Sequence, residues 1–256
     1  MIVFPNAKIN IGLNVVEKRQ DGFHNIESIF YPIFHLKDIL EIVFNTDNDN
    51  NEVLFSSSGI PIPGNNNENL CVKAYQLLKA DFNIPSVKIH LHKVIPIGAG
   101  LGGGSSDAAF TLKLLNALFT LNLSEEKLIT YAQKLGSDCA FFIRNKSVYA
   151  YNKGDEFKDI NLNLDNYKIE VVFPNIHVST KEAYDGIIIR KRDMDLREQL
   201  KLPIDYWKNV IKNDFEASIF SKYKIIEQTK LALYKQGAIY ASMTGSGSAV
   251  YGIFYK

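Results

Sequence analysis

The chain has 256 residues, 46% hydrophobic and 22% charged, the balance of a globular chain long enough for one large or two modest cores. Its 29 basic and 28 acidic residues leave a net charge of +1, so electrostatics gives no reason to expect a nucleic-acid or membrane partner. Cys71 and Cys139 form no CxxC and sit near no metal-type histidine spacing, and read as buried thiols of a reducing, cytoplasmic compartment.

In chain order, Pro5 and Lys8 fall where a secretory signal would carry its apolar stretch, and no apolar run approaches the ~18 residues of a membrane span. KINIGLNVV (8–16) alternates Ile9, Ile11, Leu13 and Val15 against polar or small residues, a strand pattern, and ILEIVF (39–44) is a further strand. NTDNDNNE (45–52) is a polar turn, after which VLFSSS (53–58) is expected to return antiparallel. GIPIPGNNNEN (59–69) is a loop, and LCVKAYQLLKADF (70–82) has helical spacing at Leu70, Ala74, Leu77 and Leu78. VKIHLHKVIP (87–96) sets Val87, Ile89 and Leu91 against Lys88, His90 and His92, a strand with one buried face that Pro96 ends. A glycine-rich loop (97–107) precedes a helix predicted over 108–119 that buries Ala108, Leu112, Leu115 and Phe119. SEEKLITYAQKLG (124–136) starts on a Ser124 N-cap and stops at Gly136.

A second region begins near residue 150, giving predicted domains 1–149 and 150–256. It carries a strand at 168–174, helices at 179–187, 196–200, 210–220 and 222–237, and a strand, glycine turn and strand at 240–255. Strands and helices mixed without strict alternation indicate an α+β fold.

Residues 98–106 read Gly-Ala-Gly-Leu-Gly-Gly-Gly-Ser-Ser. Glycines let a backbone approach a ligand and turn successive N–H groups toward it, and the helix that follows adds donors and the positive end of its dipole. Together they suit phosphate. Gly98, Gly100 and Gly103 also satisfy GxGxxG, but no acidic ribose partner is clear about 20 residues on, and no lysine completes a P-loop. A protein-kinase set of VAIK, HRD and DFG is absent from the sequence. His35, His90, His92 and His177 form no HxxxH or HExxH, so no metal site held by protein alone is predicted.

PIGAGLGGGSSDAA (96–109) resembles the phosphate-binding motif of the GHMP kinases, and PNAKINIGL (5–13) and MTGSGSAVYGIF (243–254) are similar to that family's first and third motifs. KRQDGFHNIESIF (18–30), LGSDCAFFI (135–143) and NDFE (213–216) resemble the branch that phosphorylates a cytidine-diphosphate-linked sugar alcohol in the non-mevalonate isoprenoid route. The resemblance implies a two-domain fold, the N-terminal domain like ribosomal protein S5 domain 2 and the C-terminal one ferredoxin-like. It implies transfer of the γ-phosphoryl of ATP to the 2-hydroxyl of the methylerythritol unit, Mg²⁺ arriving with ATP, and a monomer or weak homodimer with small-molecule partners only.

The same resemblance assigns roles. Asp138 would be the catalytic carboxylate, though an Asp at that helix boundary reads equally as a cap, and Lys8 would pair with it. Asn10 would lie at the substrate hydroxyl and His24 at the cytosine edge, with Phe23 stacking on the ring and Phe30 or Tyr184 as the opposite wall. Phe23 departs from the Tyr common at this position, Asn152 replaces a glycine and Asp155 a glutamate in AYNKGD (150–155). Asn69 and Lys93 would touch the adenosine, and the phosphates would lie along Pro96, Gly98, Ala99, Gly100, Leu101, Gly102, Gly103, Gly104, Ser105 and Ser106, with Ser106 also toward Mg²⁺. Thr244, Gly245, Ser246 and Gly247 would form a turn beside the transferred phosphate, a plain hairpin being the alternative. Other GHMP kinases, acting on homoserine or mevalonate, compete with this reading, as does an RNA-binding module on an S5-like fold, which the neutral charge disfavours.

Overall fold

The computed structural model describes residues 1–46, 53–189, 192 and 194–256, so the polar turn expected at 45–52 lies, beyond Thr46, outside the described residues. The elements are β1 (Ile2–Val3), β2 (Asn6–Lys18), β3 (His24–Lys37), β4 (Ile39–Phe44), β5 (Leu54–Gly59), α1 (Leu70–Asp81), β6 (Val87–Lys93), α2 (Gly103–Leu118), α3 (Glu125–Leu135) and α4 (Cys139–Arg144). They continue as β7 (Val148–Tyr151), β8 (Glu156–Asp159), β9 (Tyr167–Val172), α5 (Thr180–Asp185), α6 (Leu196–Gln199), α7 (Ile204–Val210), α8 (Glu216–Lys222), α9 (Lys224–Lys235), β10 (Tyr240–Met243) and β11 (Val250–Tyr255). They form two compact units: Met1–Lys8, Pro32–Ile97 and Gly102–Lys146 in the first, and Ile9–Tyr31, Gly98–Leu101 and Ser147–Lys256 in the second.

In the first unit the sheet order is β1-β4-β6-β5, and α1 packs on α2, which packs on α4. The expected antiparallel return at 53–58 is corrected: β5 runs parallel to β6, from Leu54 opposite Lys88 to Gly59 opposite Lys93. β4 has no open edge for it, because β1 takes one side and β6 the other, and α1 supplies the helical crossover that parallel strands need. Along β6 the alternation holds, with Val87, Ile89 and Leu91 inward, while His90 and His92 face out and hydrogen-bond Ser56 and Ser58 of β5 at 2.8–2.9 Å. Helix α2 begins at Gly103, five residues before the predicted start. Gly102, at φ +70°, turns the chain into the helix, and Ala108, Ala109 and Leu112 bury the turns that follow. Phe119 is only half-buried, edge-on to Phe44.

Lys93 falls in phase with the inward residues of β6 and is buried with its ammonium 2.5 Å from Asp38 and 2.7 Å from Asp107. Asp38 also accepts from the amides of Val94 (2.6 Å) and Ile95 (2.8 Å). Two carboxylates thus share one cation. Burial works against the Lys93 charge, but Asp107 and Asp38 outweigh it and the ammonium's pKa rises. For Asp107, burial dominates and Asp38 adds to it, so the carboxyl is pushed up to about 7 despite Lys93.

The second unit holds the antiparallel sheet β10-β11-β9, with Met243 opposite Val250 and Val250 opposite Val172. In the sheet β2-β3-β7-β8, Ser28–Phe30 pairs with Val148–Ala150. Leu13, Val15, Phe215, Ile219, Met243 and Val250 share one buried cluster. The helix expected over 210–220 starts only at Glu216, as α8, and α7, which ends at Val210, was not expected. The chain between them is bridged to β2 at Asn213: Leu13 N–H donates to Lys212 O (2.9 Å) and Asp214 N–H to Leu13 O (2.8 Å).

Lys93→Met, which strands two buried carboxylates, is expected to cost about 3–5 kcal/mol of stability in chemical denaturation. Asp107 sits above its ordinary value of 3.8, so between that value and about 7 the folded chain binds a proton the unfolded chain has released. Its contribution to stability is therefore full at acid pH and fades as pH climbs through about 7, and Asp107→Asn should flatten that part of the stability–pH curve.

Candidate active site

In the first unit, three groups meet at the start of α2. Lys8, 3% exposed, lies 3.4 Å from the half-exposed carboxylate of Asp138. Asp138 occupies the N-cap position of α4, yet its side chain makes no capping hydrogen bond, so the plain cap reading does not hold. A Cβ on Gly102 would stand 3.0 Å from the Phe142 ring and 3.1 Å from Lys8 Cγ, which places Gly102 directly against the lysine. Ser105 shares a hydrogen bond with the thiol of Cys139, whose burial pushes it up to about 11, so the neighbour of Asp138 is a neutral thiol at pH 7. The helical ladder opens with Ser106 N–H donating to Gly102 O at 2.9 Å, which leaves the amides of Gly103, Gly104 and Ser105 ahead of it. An acceptor carboxylate, a cation and forward-facing amides are therefore neighbours: the set that orients a hydroxyl and stabilises negative charge.

In the second unit, Gly98–Leu101 lies backbone-to-backbone on the third-motif turn. Thr244 Oγ1 donates to Gly100 O (3.1 Å), and Ala249 N–H to Ala99 O (3.2 Å). A Cβ on Gly100, at φ +77°, would stand 2.1 Å from Thr244 O, and one on Gly98 would meet the His177 ring at 2.8 Å. Asn10 is buried and central here. Its N–H donates to Thr244 Oγ1 (3.0 Å), its Nδ2 to Ser28 Oγ (2.9 Å), and its carbonyl accepts from the Tyr251 hydroxyl (2.9 Å). Ser246 is the half-exposed residue of the turn, between buried Gly245 and Gly247.

Also in the second unit, His24 and Tyr184 stack with ring centroids 4.6 Å apart, inclined by 19°. Burial, and then the charge of Lys18, hold His24 below the usual histidine range, so its imidazole is neutral at pH 7. Phe23 is 61% exposed with Lys153 over its ring at 5.4 Å, and the turn that presents it is closed by Arg19 N–H donating to Phe23 O and Phe23 N–H to Asp21. Phe30 is buried and packs against Phe157.

The remaining expected residues are placed as follows. Asn69 is the N-cap of α1 and accepts from Cys71 N–H (2.9 Å), and Pro96 is half-buried at the head of the loop. The ammonium of Lys93 is occupied by Asp38 and Asp107. Asp38, Asp107 and Ser28 were not singled out in the sequence, although the phase of Lys93 in β6 signals that a buried cation needs acid partners. Among the described residues no group of three His, Cys, Asp or Glu side chains could hold a metal. Ser106 Oγ is fully buried and has no hydrogen-bond partner among the described residues. That orphan oxygen fits a cation carried largely by phosphates. No described helix is long and apolar enough to cross a membrane.

Gly100→Ala is expected to destabilise the protein by roughly 1–3 kcal/mol, from a strained φ and a clash with the Thr244 carbonyl. Gly104→Ala, where the nearest atom to a new Cβ is 3.8 Å away, should leave the Tm unchanged or raise it, and paired thermal melts compare the two.

Comparison with known proteins places this geometry. The model of the GHMP kinase N-terminal domain matches residues 69–146, and that of the GHMP kinase C-terminal domain residues 196–256. A 4-diphosphocytidyl-2-C-methyl-D-erythritol kinase of Azobacteroides pseudotrichonymphae is 54% identical over 100% of this chain and 94% of its own length. Its counterpart from Bacteroides fragilis is 52% identical over 99% of this chain and 92% of its own length. The crystal structure of a 4-(cytidine 5'-diphospho)-2C-methyl-D-erythritol kinase superposes with a TM-score of 0.84 at 30% identity, covering 99% of this chain and 90% of that one. The chain is a kinase of the GHMP family, and within it belongs to the 4-diphosphocytidyl-2-C-methyl-D-erythritol kinases.

Proposed function

We propose that the chain transfers the γ-phosphoryl of ATP to the 2-hydroxyl of 4-diphosphocytidyl-2-C-methyl-D-erythritol, in the cytoplasm, as a step of the non-mevalonate isoprenoid route. The observation that carries the chemistry is the Asp138 carboxylate, at a helix start yet uncapped, facing the buried Lys8 at 3.4 Å. Asp138 would orient the acceptor hydroxyl and take its proton as the O–P bond forms. Lys8 would hold that carboxylate in place and offset charge on the transferring group. The amides of Gly103, Gly104 and Ser105 would donate to the nucleotide's phosphate oxygens without reorganising during the reaction. Mg²⁺, bound to the phosphates with Ser106 as a protein ligand, would neutralise part of their charge. Positioning supplies most of the rate in such a transfer, so no strongly basic side chain is required.

The acceptor's cytosine is assigned to the exposed face of Phe23, with the neutral His24 imidazole hydrogen-bonding its edge and Tyr184 beside it. Stacking needs only an aromatic face, so Phe in place of Tyr keeps it. The relatives' names and the sequence around Phe23 and His24 support the cytidine-linked acceptor over homoserine or mevalonate.

An ADP-release assay across candidate acceptors is expected to show turnover with the cytidine-diphospho sugar alcohol and background rates with homoserine and mevalonate; equal rates on all three would refute the substrate. Asp138→Asn should lower kcat at least ~10²-fold, the scale of a positioned base, with the KM for ATP little changed, and a near-normal kcat removes the residue from its role. His24→Ala should raise the acceptor KM about tenfold, as expected for one lost hydrogen bond, at unchanged ATP KM.

A further inference from the structure

The NDFE segment (213–216) takes no part in the chemistry above, yet its buried side chains converge on one turn. Asn213, 3% exposed, donates from one amide nitrogen to two carbonyls, Met243 O and Gly245 O, each at 2.9 Å, while its Oδ1 accepts from Phe215 N–H at 3.0 Å. Glu216 accepts from Met243 N–H at 2.9 Å and pairs with Lys230 at 2.7 Å. The segment is itself pinned to β2, where Asp214 Oδ2 accepts from Val15 N–H at 2.8 Å beside the Leu13 backbone bonds.

A core asparagine needs only to have its polar atoms satisfied. Here one nitrogen ties down the carbonyls on either side of Thr244, and that fixes two peptide planes. The Gly245–Ser246 peptide is trans, so its N–H points opposite to its C=O. With Gly245 O drawn inward to Asn213, the Ser246 N–H is turned away from the asparagine, at the half-exposed residue of the turn. The other plane carries the N–H of Thr244, whose hydroxyl holds Gly100 O.

We propose that Asn213 is a positioning residue for phosphoryl transfer. It touches neither substrate, aims the Ser246 amide at the transferring phosphate, and through Thr244 fixes the height of the Gly98–Leu101 backbone. The inference rests on the reading that the Thr244–Ser246 turn serves the nucleotide.

The test measures kcat, both KM values and the Tm for Asn213→Ala, Asn213→Ser, Thr244→Val and the Asn213→Ala/Thr244→Val double variant. Serine is too short to bridge both carbonyls but keeps a polar group in the site. In folded Asn213 variants kcat should fall about 10–10²-fold, the cost of a misplaced donor, with the acceptor KM within twofold. The double variant should lose less than the product of the two single losses, because both act on one turn. A residue that only stabilises the fold would lower the Tm and leave kcat alone. A wild-type kcat in a folded Asn213 variant, or fully multiplicative losses, overturns the proposal, and so does failure of both Asn213 variants to fold, which makes the residue a folding determinant. If Thr244→Val itself has wild-type kcat and ATP KM, the reading of the turn fails; if it is impaired while the Asn213 variants are not, only this inference fails.

Discussion

No side chain fits at residue 100. The Gly100 α-carbon lies so close to the Thr244 carbonyl that an added Cβ would stand 2.1 Å from its oxygen. The motif glycines are therefore required by packing as much as by φ. Gly100 meets the Thr244 turn, Gly102 meets Lys8 and Phe142, and a Cβ on Gly103 would meet the Lys93 ammonium and Ile95 at 2.9 Å. Each glycine lets a different piece of chain come close, and the amides that follow inherit their positions from those contacts. A loop held in this way presents its donors already oriented, which is what electrostatic stabilisation of a transferring phosphoryl group needs.

Two buried lysines lie against the glycines of this loop, and their surroundings give them different tasks. Lys93 is enclosed by Asp38 and Asp107, and Asp38 also holds the amides of Val94 and Ile95, so this cation ties the end of β6 to the first turns of α2. Such a triad lends rigidity and has no surface left for a ligand. Lys8 pairs instead with a carboxylate that is 31% exposed and spared from capping duty. The longer and more open pair is the one suited to chemistry, since a hydroxyl can still reach the acid.

Much of this was legible in the residues. Ser124 and Gly136 bound α3 as their capping chemistry dictates, and the alternation of Val87, Ile89 and Leu91 gave β6. The same alternation carried Lys93 inward, where Asp38 and Asp107 occupy its ammonium, although an adenosine contact was expected of it. Where pattern reading went astray, tertiary contacts decided. Gly103 and Gly104 have weak helix propensity, yet the buried Ala108–Leu112 stretch draws them into α2. The chain at 211–215 has apolar residues at helical spacing, yet the bridge from Leu13 of β2 to Asn213 keeps it out of a helix until Glu216. β5 lies parallel to β6 because α1 crosses between them, a choice of neighbour that no local pattern records. Asp138 stood out in the residues as either a cap or a catalytic carboxylate, and a cap position without a cap bond argues against the first.

Phosphoryl transfer as proposed here depends on the amides at the start of α2 meeting the nucleotide's phosphates. The most direct measurement is an amide ¹⁵N NMR titration of the protein with a non-hydrolysable ATP analogue and Mg²⁺. The largest shifts are expected at Gly103, Gly104 and Ser105, with Gly100 and Ser246 next. Resonances there that stay in place while others move on saturation would contradict the assignment of this loop to the nucleotide.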